Sequence, residues 1–215
     1  MSCQYSTFIS YRRNVGDEKF IKKFKSIIEC EAFKVTNIPK VFFDEDSIRW
    51  GDEFDEKIYD GIVACYFFIP FYHNTYLHED NLWCAKELYR AIEVEKKIRE
   101  SAIHNYCFIL PIIDRGSASA FPKCIGQKNA KEIKQIRHLV LSNKTNAALE
   151  RFKDTIYDIF VSNFKLLNNE VKFSELCADI DIPSDDVIKE WIREQKKNEK
   201  ISEANNPPIL KKNEF

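Results

Sequence analysis

The sequence lacks the excess of basic residues that a nucleic-acid-binding protein normally carries. Its 33 lysines and arginines face 34 aspartates and glutamates, so the formal net charge is −1. Because neutralisation of phosphates drives the affinity of proteins for nucleic acid, a basic excess would be expected in such a protein. A nucleic-acid partner is therefore not predicted.

The sequence also lacks a hydrophobic run long enough to cross a membrane. Its longest apolar stretches, such as residues 62–72, are much shorter than the roughly 20 residues of a membrane-spanning helix. That stretch also contains Pro70. The first residues have neither the basic start nor the apolar run of a signal peptide. These absences predict a soluble, cytoplasmic protein that has no membrane partner.

Closely spaced pairs of cysteines are absent too. The seven cysteines are an odd number without a Cys-x-x-Cys motif, and the four histidines show no ligand-like spacing. A disulfide framework or a zinc site would need closer, paired spacing. Reduced thiols in a cytosolic core are the simpler interpretation. No metal site is expected.

Short apolar segments alternate with segments of helical periodicity along the first half of the chain. The pattern predicts strands at 6–11, 41–43, 63–71 and 106–114, and helices at 17–31, 53–62 and 79–98. Glu79 and Asp80 would lie favourably near the N-terminus of the third helix. The near-continuous apolar run of the third strand is typical of a strand buried on both faces. This alternation predicts an α/β fold, a doubly wound, flavodoxin-like parallel sheet flanked by helices.

The pattern is weaker after residue 114. Residues 115–130 are expected to form a loop, and residues 136–141 a short edge strand. An amphipathic helix over residues 149–164 is expected to close the domain.

Beyond about residue 170 the composition becomes charged. Ser184 is expected to cap a helix whose first turn is acidic, and about the last fifteen residues are expected to be a loose tail. We therefore predict a domain over residues 1–168, followed by a short helical extension and flexible tail over residues 169–215.

Polar and aromatic residues follow the strands at one edge of the predicted sheet. In an open parallel sheet, ligands bind beyond the carboxyl ends of the strands. The first strand ends near Arg12 and Arg13, and arginine is well shaped for phosphate. An exposed basic turn is the competing interpretation. Together with nearby acids and aromatics, this edge suits an aromatic, phosphate-bearing, sugar-containing ligand.

Trp83 and Glu87 are spaced i, i+4, so they share one face of the third helix. An indole could stack on a flat cationic ring while the carboxylate faces the attached ribose. In NAD+ the nicotinamide leaves as a neutral molecule, so no general acid is needed and one ionised glutamate could suffice. The competing interpretation places Trp83 in the core and pairs Glu87 with Arg90 in solvent.

Three segments, in order along the chain, resemble motifs of Toll/interleukin-1 receptor (TIR) domains. Residues 8–14 resemble the first strand, and residues 41–52 resemble the second strand and the BB loop. Residues 83–88 read Trp-Cys-Ala-Lys-Glu-Leu and resemble the Trp-Cys-x-x-Glu-Leu segment, whose glutamate is catalytic in NAD+-consuming members. The resemblance covers about residues 4–165.

This resemblance implies roles for individual residues. Glu87 would be the catalytic acid, and Trp83 would border the nicotinamide. Further residues would line the pocket, namely Phe8, Ser10, Tyr11, Arg12 and Asp44. The BB loop would mediate TIR–TIR contacts that complete the site across two protomers, through Ser47, Ile48, Arg49, Trp50, Gly51 and Asp52. NAD+ would be the substrate, and no cofactor is implied. The family often has serine two positions before the tryptophan, where this chain has Asn81.

A stand-alone TIR domain with a short helical tail resembles bacterial anti-phage proteins of the Thoeris kind. That resemblance implies cleavage of NAD+ to a cyclic or conjugated ADP-ribose signal that activates a separate effector. Plain hydrolysis to ADP-ribose and nicotinamide is the other outcome. The alternative function is a non-catalytic adaptor that acts by TIR–TIR association. A receiver domain of the response-regulator type is set aside, because it needs acids for Mg²⁺ at the end of its first strand.

Overall fold

The computed structural model describes residues 3–13, 18–43, 54–73, 75–80, 82–101, 103, 105–114, 131–133, 136–142, 146–167, 173–177 and 179–205. Its strands are β1 (Tyr5–Tyr11), β2 (Val41–Phe42), β3 (Cys65–Tyr72), β4 (Ile112–Ile113) and β5 (Lys131–Glu132). Its helices are α1 (Glu18–Thr36), α2 (Phe54–Val63), α3 (Trp83–Glu100), α4 (Arg137–Ser142), α5 (Ala147–Phe164), α6 (Phe173–Leu176) and α7 (Asp185–Asn205). No helix in these ranges is both long and apolar enough to span a bilayer.

The strands form one parallel sheet in the order β2-β1-β3-β4-β5. Thr7 of β1 lies opposite Val41 on one side and Phe67 on the other. This is the strand order of flavodoxin-like sheets, with the switch in direction between β1 and β3. The predicted α/β, doubly wound fold is confirmed.

Aromatic side chains fill both faces of the sheet. On one face, Phe24 of α1 packs edge-on against Phe71 of β3, with ring centroids 5.3 Å apart. On the other face, Phe8 of β1 stacks on Phe42 at 4.7 Å. Helix α2 covers this second stack so closely that a Cβ on Gly61 would lie 2.4 Å from the Phe42 ring. Since alternate side chains of a strand share a face, Ser10 lies on the same face as Phe8.

Strand β4 is much shorter than the predicted strand at 106–114. It pairs with β3 at Ile112 and Ile113, and earlier only through an isolated bridge from Ile109 to Phe68. Pro70 of β3 has no N–H group to donate to β4, which interrupts the hydrogen-bonded ladder between these points. The prediction of a continuous strand was wrong because one proline sits inside the central strand.

Helix α3 begins later than predicted. It starts at Trp83, and its first turn contains no acidic residue. Glu79 precedes the helix and instead lies 3.4 Å from the Arg193 guanidinium of α7. The predicted placement of Glu79 and Asp80 at the start of the helix was therefore wrong.

The segment predicted as an edge strand at 136–141 is helical. The N–H groups of Leu139 and Val140 both donate to the carbonyl of Ile136, which is helical bonding. These apolar residues are spaced i, i+3, i+4, the spacing of a helix face. The edge strand is β5, at Lys131–Glu132, immediately after the predicted loop.

The C-terminal extension packs on α3. Helix α7 begins directly after Ser184, as predicted, and the Ser184 Oγ accepts from the Val187 N–H at 3.5 Å. Ile188 and Ile192 are completely buried. The helix continues to Asn205, into the stretch predicted as a loose tail, and residues 206–215 lie outside the described residues. The domain division at residue 168 stays a prediction.

Candidate active site

Glu87 lies inside the protein, between α3 and the carboxyl end of β1. Its side chain is 6% exposed, and its Oε2 accepts a hydrogen bond from the Ser10 hydroxyl. Ser10 reaches it because it is the last residue of β1 to face α3, on the side of the sheet that Phe8 also faces. A buried carboxylate with a hydroxyl donor is the arrangement expected of a functional acid or of an internal support.

Tyr76 continues this contact. Its hydroxyl hydrogen-bonds to the Ser10 Oγ, and its side chain is completely buried. Burial, followed by the nearby Cys84 and Glu87, raises the pKa of Tyr76 well above its usual value. The phenol therefore keeps its proton. Because the single hydrogen of Ser10 goes to Glu87, Tyr76 donates to Ser10, and the three side chains form a directed chain ending at the carboxylate.

Trp83 stands at the first turn of α3, one turn before Glu87. Its side chain is 36% exposed, so the interpretation that it belongs to the core was wrong. The Lys86 ammonium lies 5.0 Å from the centroid of the indole ring, close enough for a cation–π contact. The indole thus lies next to a cation in this structure.

Arg90 does not form the predicted solvent-exposed pair with Glu87, since both residues are buried. Its guanidinium donates to the backbone carbonyl of Ile180 and lies 5.5 Å from the centroid of the Tyr59 ring. Arg90 thereby joins α3 to the extension and to α2. The competing interpretation of Glu87 as a surface charge is wrong.

Arg12 follows β1 and turns toward the segment between β3 and α3. Its guanidinium donates to the carbonyl of Thr75, the residue before Tyr76. Arg12 is half-buried and Arg13 is exposed. This places Arg12 beside the Ser10–Tyr76–Glu87 chain, and its predicted contact with a phosphate stays a prediction.

Phe8 and Tyr11 lie apart from this chain. Phe8 is buried in the stack with Phe42 and Phe68. Tyr11 faces the opposite side of the sheet, where it stacks on Phe43 with centroids 4.8 Å apart and planes 4° apart. Their predicted contacts with a ligand stay predictions.

Comparison with known proteins fixes the family. Residues 7–152 match the family model described as TIR domain, which is more than half of the chain. The chain belongs to the TIR domain family. A search of curated proteins found no match.

Among solved structures, this TIR protein is similar to the TIR domains of the activated Roq1 resistosome, described as directly recognising the pathogen effector XopQ. The two share 16% identity, the match covers 88% of this chain and 98% of that chain, and the TM-score is 0.36. A likeness of this extent says nothing about activity.

Several predicted residues of the TIR domain lie outside the described residues. They are Asp44, Asn81 and the BB-loop residues Ser47, Ile48, Arg49, Trp50, Gly51 and Asp52. Their predicted roles in the pocket and in self-association stay predictions. Within the part of the chain that the structure describes, no group of three or more His, Cys, Asp and Glu side chains could hold a metal ion.

Sequence reasoning missed Tyr76. It lies in an irregular segment between β3 and α3, where no helical or strand periodicity indicates which side chains point inward. The Tyr76 N–H donates to the His73 carbonyl at 2.8 Å, a local contact that no periodicity indicates. The TIR fold thus gathers its candidate site from β1, from this segment and from α3.

Proposed function

We propose that this TIR protein is an enzyme that breaks the nicotinamide–ribose bond of NAD+, with Glu87 as its catalytic carboxylate. The observation that carries the proposal is the position of one buried carboxylate, held by Ser10, one helical turn from an accessible indole. The resemblance of residues 83–88 to the segment of NAD+-consuming TIR enzymes supports the same assignment. NAD+ is the substrate, and no further cofactor takes part.

The chemistry requires little more than a negative charge near the ribose. The bond between the ribose carbon and the nicotinamide nitrogen breaks, and its electron pair goes to the nitrogen, which loses its positive charge. The Glu87 carboxylate opposes the positive charge that develops on the sugar. Trp83 offers an aromatic face to the cationic nicotinamide ring.

Two outcomes follow cleavage. Attack by water gives ADP-ribose, and attack by a hydroxyl or ring nitrogen of the same molecule gives a cyclic product. We favour a cyclic or conjugated ADP-ribose that acts in the cytoplasm as a signal in bacterial anti-phage immunity and activates a separate effector. Self-association through residues 47–52 would complete the site, so activity is expected to rise with protein concentration.

The test is NAD+ turnover by the full chain at high protein concentration, with identification of the products. Glu87→Gln removes the charge and keeps the shape, so we expect at least a hundredfold loss of turnover, in the range found when a preorganised electrostatic contact is removed. Equal turnover by the wild type and Glu87→Gln would overturn the assignment of the site. An assembled wild type that leaves NAD+ intact would support the alternative, an adaptor that acts by TIR–TIR association.

A further inference from the structure

We propose that Tyr76 is a positioning residue for the reaction, which acts on Glu87 through the hydroxyl of Ser10. This inference rests on the proposed function of Glu87. It assigns a role to a side chain that contacts neither the nicotinamide nor the ribose in that proposal.

The direction of the hydrogen bonds carries the argument. Ser10 has one hydroxyl hydrogen and two oxygen neighbours, the Glu87 Oε2 and the Tyr76 hydroxyl. An ionised carboxylate can only accept, so the Ser10 hydrogen goes to Glu87, and Tyr76 must supply the hydrogen for its own contact with Ser10. Tyr76 therefore decides which way the serine hydroxyl points.

Tyr76 is itself well fixed. Its side chain is fully buried, and its ring lies 5.7 Å from the ring of Tyr72, centroid to centroid. Arg12 donates to the carbonyl of Thr75 and thereby holds the neighbouring backbone. A hydroxyl on a rigid ring is a better anchor than the freely rotating hydroxyl of serine.

Loss of the Tyr76 hydroxyl would leave the Ser10 hydroxyl free to rotate. The Ser10 hydroxyl could then turn away from Glu87, and the carboxylate would lose one of the contacts that fix its direction and the strengthening that successive hydrogen bonds give one another. A carboxylate that is less well aligned with the ribose slows the chemical step more than it weakens binding, because alignment matters most where charge develops.

The experiment is a double-mutant cycle in the full chain at one high protein concentration. Tyr76→Phe deletes the hydroxyl alone and is expected to lower kcat for NAD+ cleavage by about tenfold, with KM changed by less than about twofold. Ser10→Ala is expected to lower kcat by about as much or more. The double variant should match Ser10→Ala within about twofold, because Tyr76 has no route to Glu87 once the serine hydroxyl is gone.

Tyr106→Phe is the matched control. Tyr106 is also fully buried, and its hydroxyl also makes a hydrogen bond, to the carbonyl of Tyr66, away from Glu87. This variant loses an oxygen of the same kind from the same core, and its kcat should stay within about twofold of the wild type. A difference in kcat between the two variants at similar melting temperatures separates positioning from stability.

A folded Tyr76→Phe variant with the kcat of the wild type would overturn the inference. So would a double variant whose fold-loss of kcat equals the product of the losses in Ser10→Ala and Tyr76→Phe. If Tyr76→Phe does not fold, Tyr76→Met also lacks the hydroxyl and fills the space with a flexible side chain. It should show the same loss of kcat, and wild-type kcat there would overturn the inference equally. Full activity of Glu87→Gln would instead refute the proposed function itself.

Discussion

Glu87 and Glu95 lie eight residues apart on α3 and are almost equally buried, at 6% and 5% exposed. Their partners differ. Glu95 accepts a hydrogen bond from the backbone N–H of Ile109 at 2.9 Å and pairs with Arg99 at 2.8 Å. Glu87 accepts a hydrogen bond from the Ser10 hydroxyl, which itself accepts one from Tyr76.

The difference teaches what each acid does for the fold. Ile109 forms the isolated bridge to Phe68, whose hydrogen bonds run to Phe108 and Leu110, so the Ile109 backbone N–H is not used in that bridge. Glu95 satisfies a backbone donor that would otherwise be buried alone, which is a structural role. Glu87 accepts instead from a side-chain hydroxyl, and the Ser10 hydroxyl keeps its bond with Tyr76 when that acceptor is removed. A buried carboxylate one helical turn from an accessible indole is a candidate for a functional residue.

The C-terminal extension contacts α3 near both Glu87 and Glu95. Lys86 pairs with Asp185 at 2.6 Å near Glu87, and Lys97 pairs with Asp179 at 2.5 Å near Glu95. Between them, Tyr89 meets Trp191 edge-on with ring centroids 5.6 Å apart. Helix α3 is therefore fixed on its inner side by the sheet and on its outer side by the extension.

The largest effect on stability is expected when the two acids are truncated in parallel. Glu95→Ala leaves the Ile109 N–H without this acceptor and should lower the free energy of unfolding by about 2–3 kcal/mol. Glu87→Ala should cost less than Glu95→Ala, because the Ser10 hydroxyl that it leaves behind keeps its hydrogen bond with Tyr76. Urea denaturation measures both values, and equal losses would break the distinction between a structural and a functional acid.

A smaller effect separates two tryptophans, one at the start of α3 and one in the extension that packs on it. Trp83→Ala removes the exposed indole one turn before Glu87 and should raise KM for NAD+ about tenfold, the loss expected for one cation–π and stacking contact. Trp191→Ala removes an indole from the contact between the extension and Tyr89 and should lower the melting temperature with little change in KM. An unchanged KM in Trp83→Ala would remove Trp83 from the site.

The smallest effect is the pH dependence of the two ion pairs. The hydrogen bond from Lys97 lowers the pKa of Asp179, and that from Lys86 lowers the pKa of Asp185. A carboxyl whose pKa is lowered in the folded state stabilises the fold at pH values above its unfolded pKa. That contribution is lost as the pH falls through the folded pKa, below the ordinary value of 3.8.

The wild type should therefore melt slightly higher than the double variant Asp179→Asn, Asp185→Asn at pH 7 and at pH 5. The difference should shrink as the pH falls below 3.8 and disappear once the pH is below the lowered pKa values of both carboxyls in the folded state. A difference that persists at low pH would show that the carboxylate charges do not hold the extension.

Periodicity in the sequence was enough to predict the parallel sheet and the helix that carries Glu87. It misplaced the start of that helix, because Glu79 and Asp80 look like first-turn acids while Glu79 in fact contacts Arg193, which is distant along the chain. It also missed the interruption of β4, because Pro70 acts from a neighbouring strand. Such errors arise where partners far apart in sequence decide the local structure.

In the candidate site, too, local sequence patterns indicated some residues and missed others. The i, i+4 spacing of Trp83 and Glu87 and the family motif singled out these two residues as candidates, since one helix carries both. Tyr76 could not be found this way. Its contact with Ser10 of β1 is made from the irregular segment between β3 and α3. Phe8 and Tyr11 illustrate the converse, since membership of a motif does not tell which face of the sheet a side chain occupies.

The most direct measurement is nicotinamide release from NAD+ by Glu87→Gln and Glu95→Gln, side by side with the wild type at the same high protein concentration. Glutamine at position 95 can still accept from Ile109, so that variant should release nicotinamide at a rate within about threefold of the wild type. Glu87→Gln should fall by at least about a hundredfold. Loss of the same size in both variants, or release by Glu87→Gln at the wild-type rate, would contradict the account.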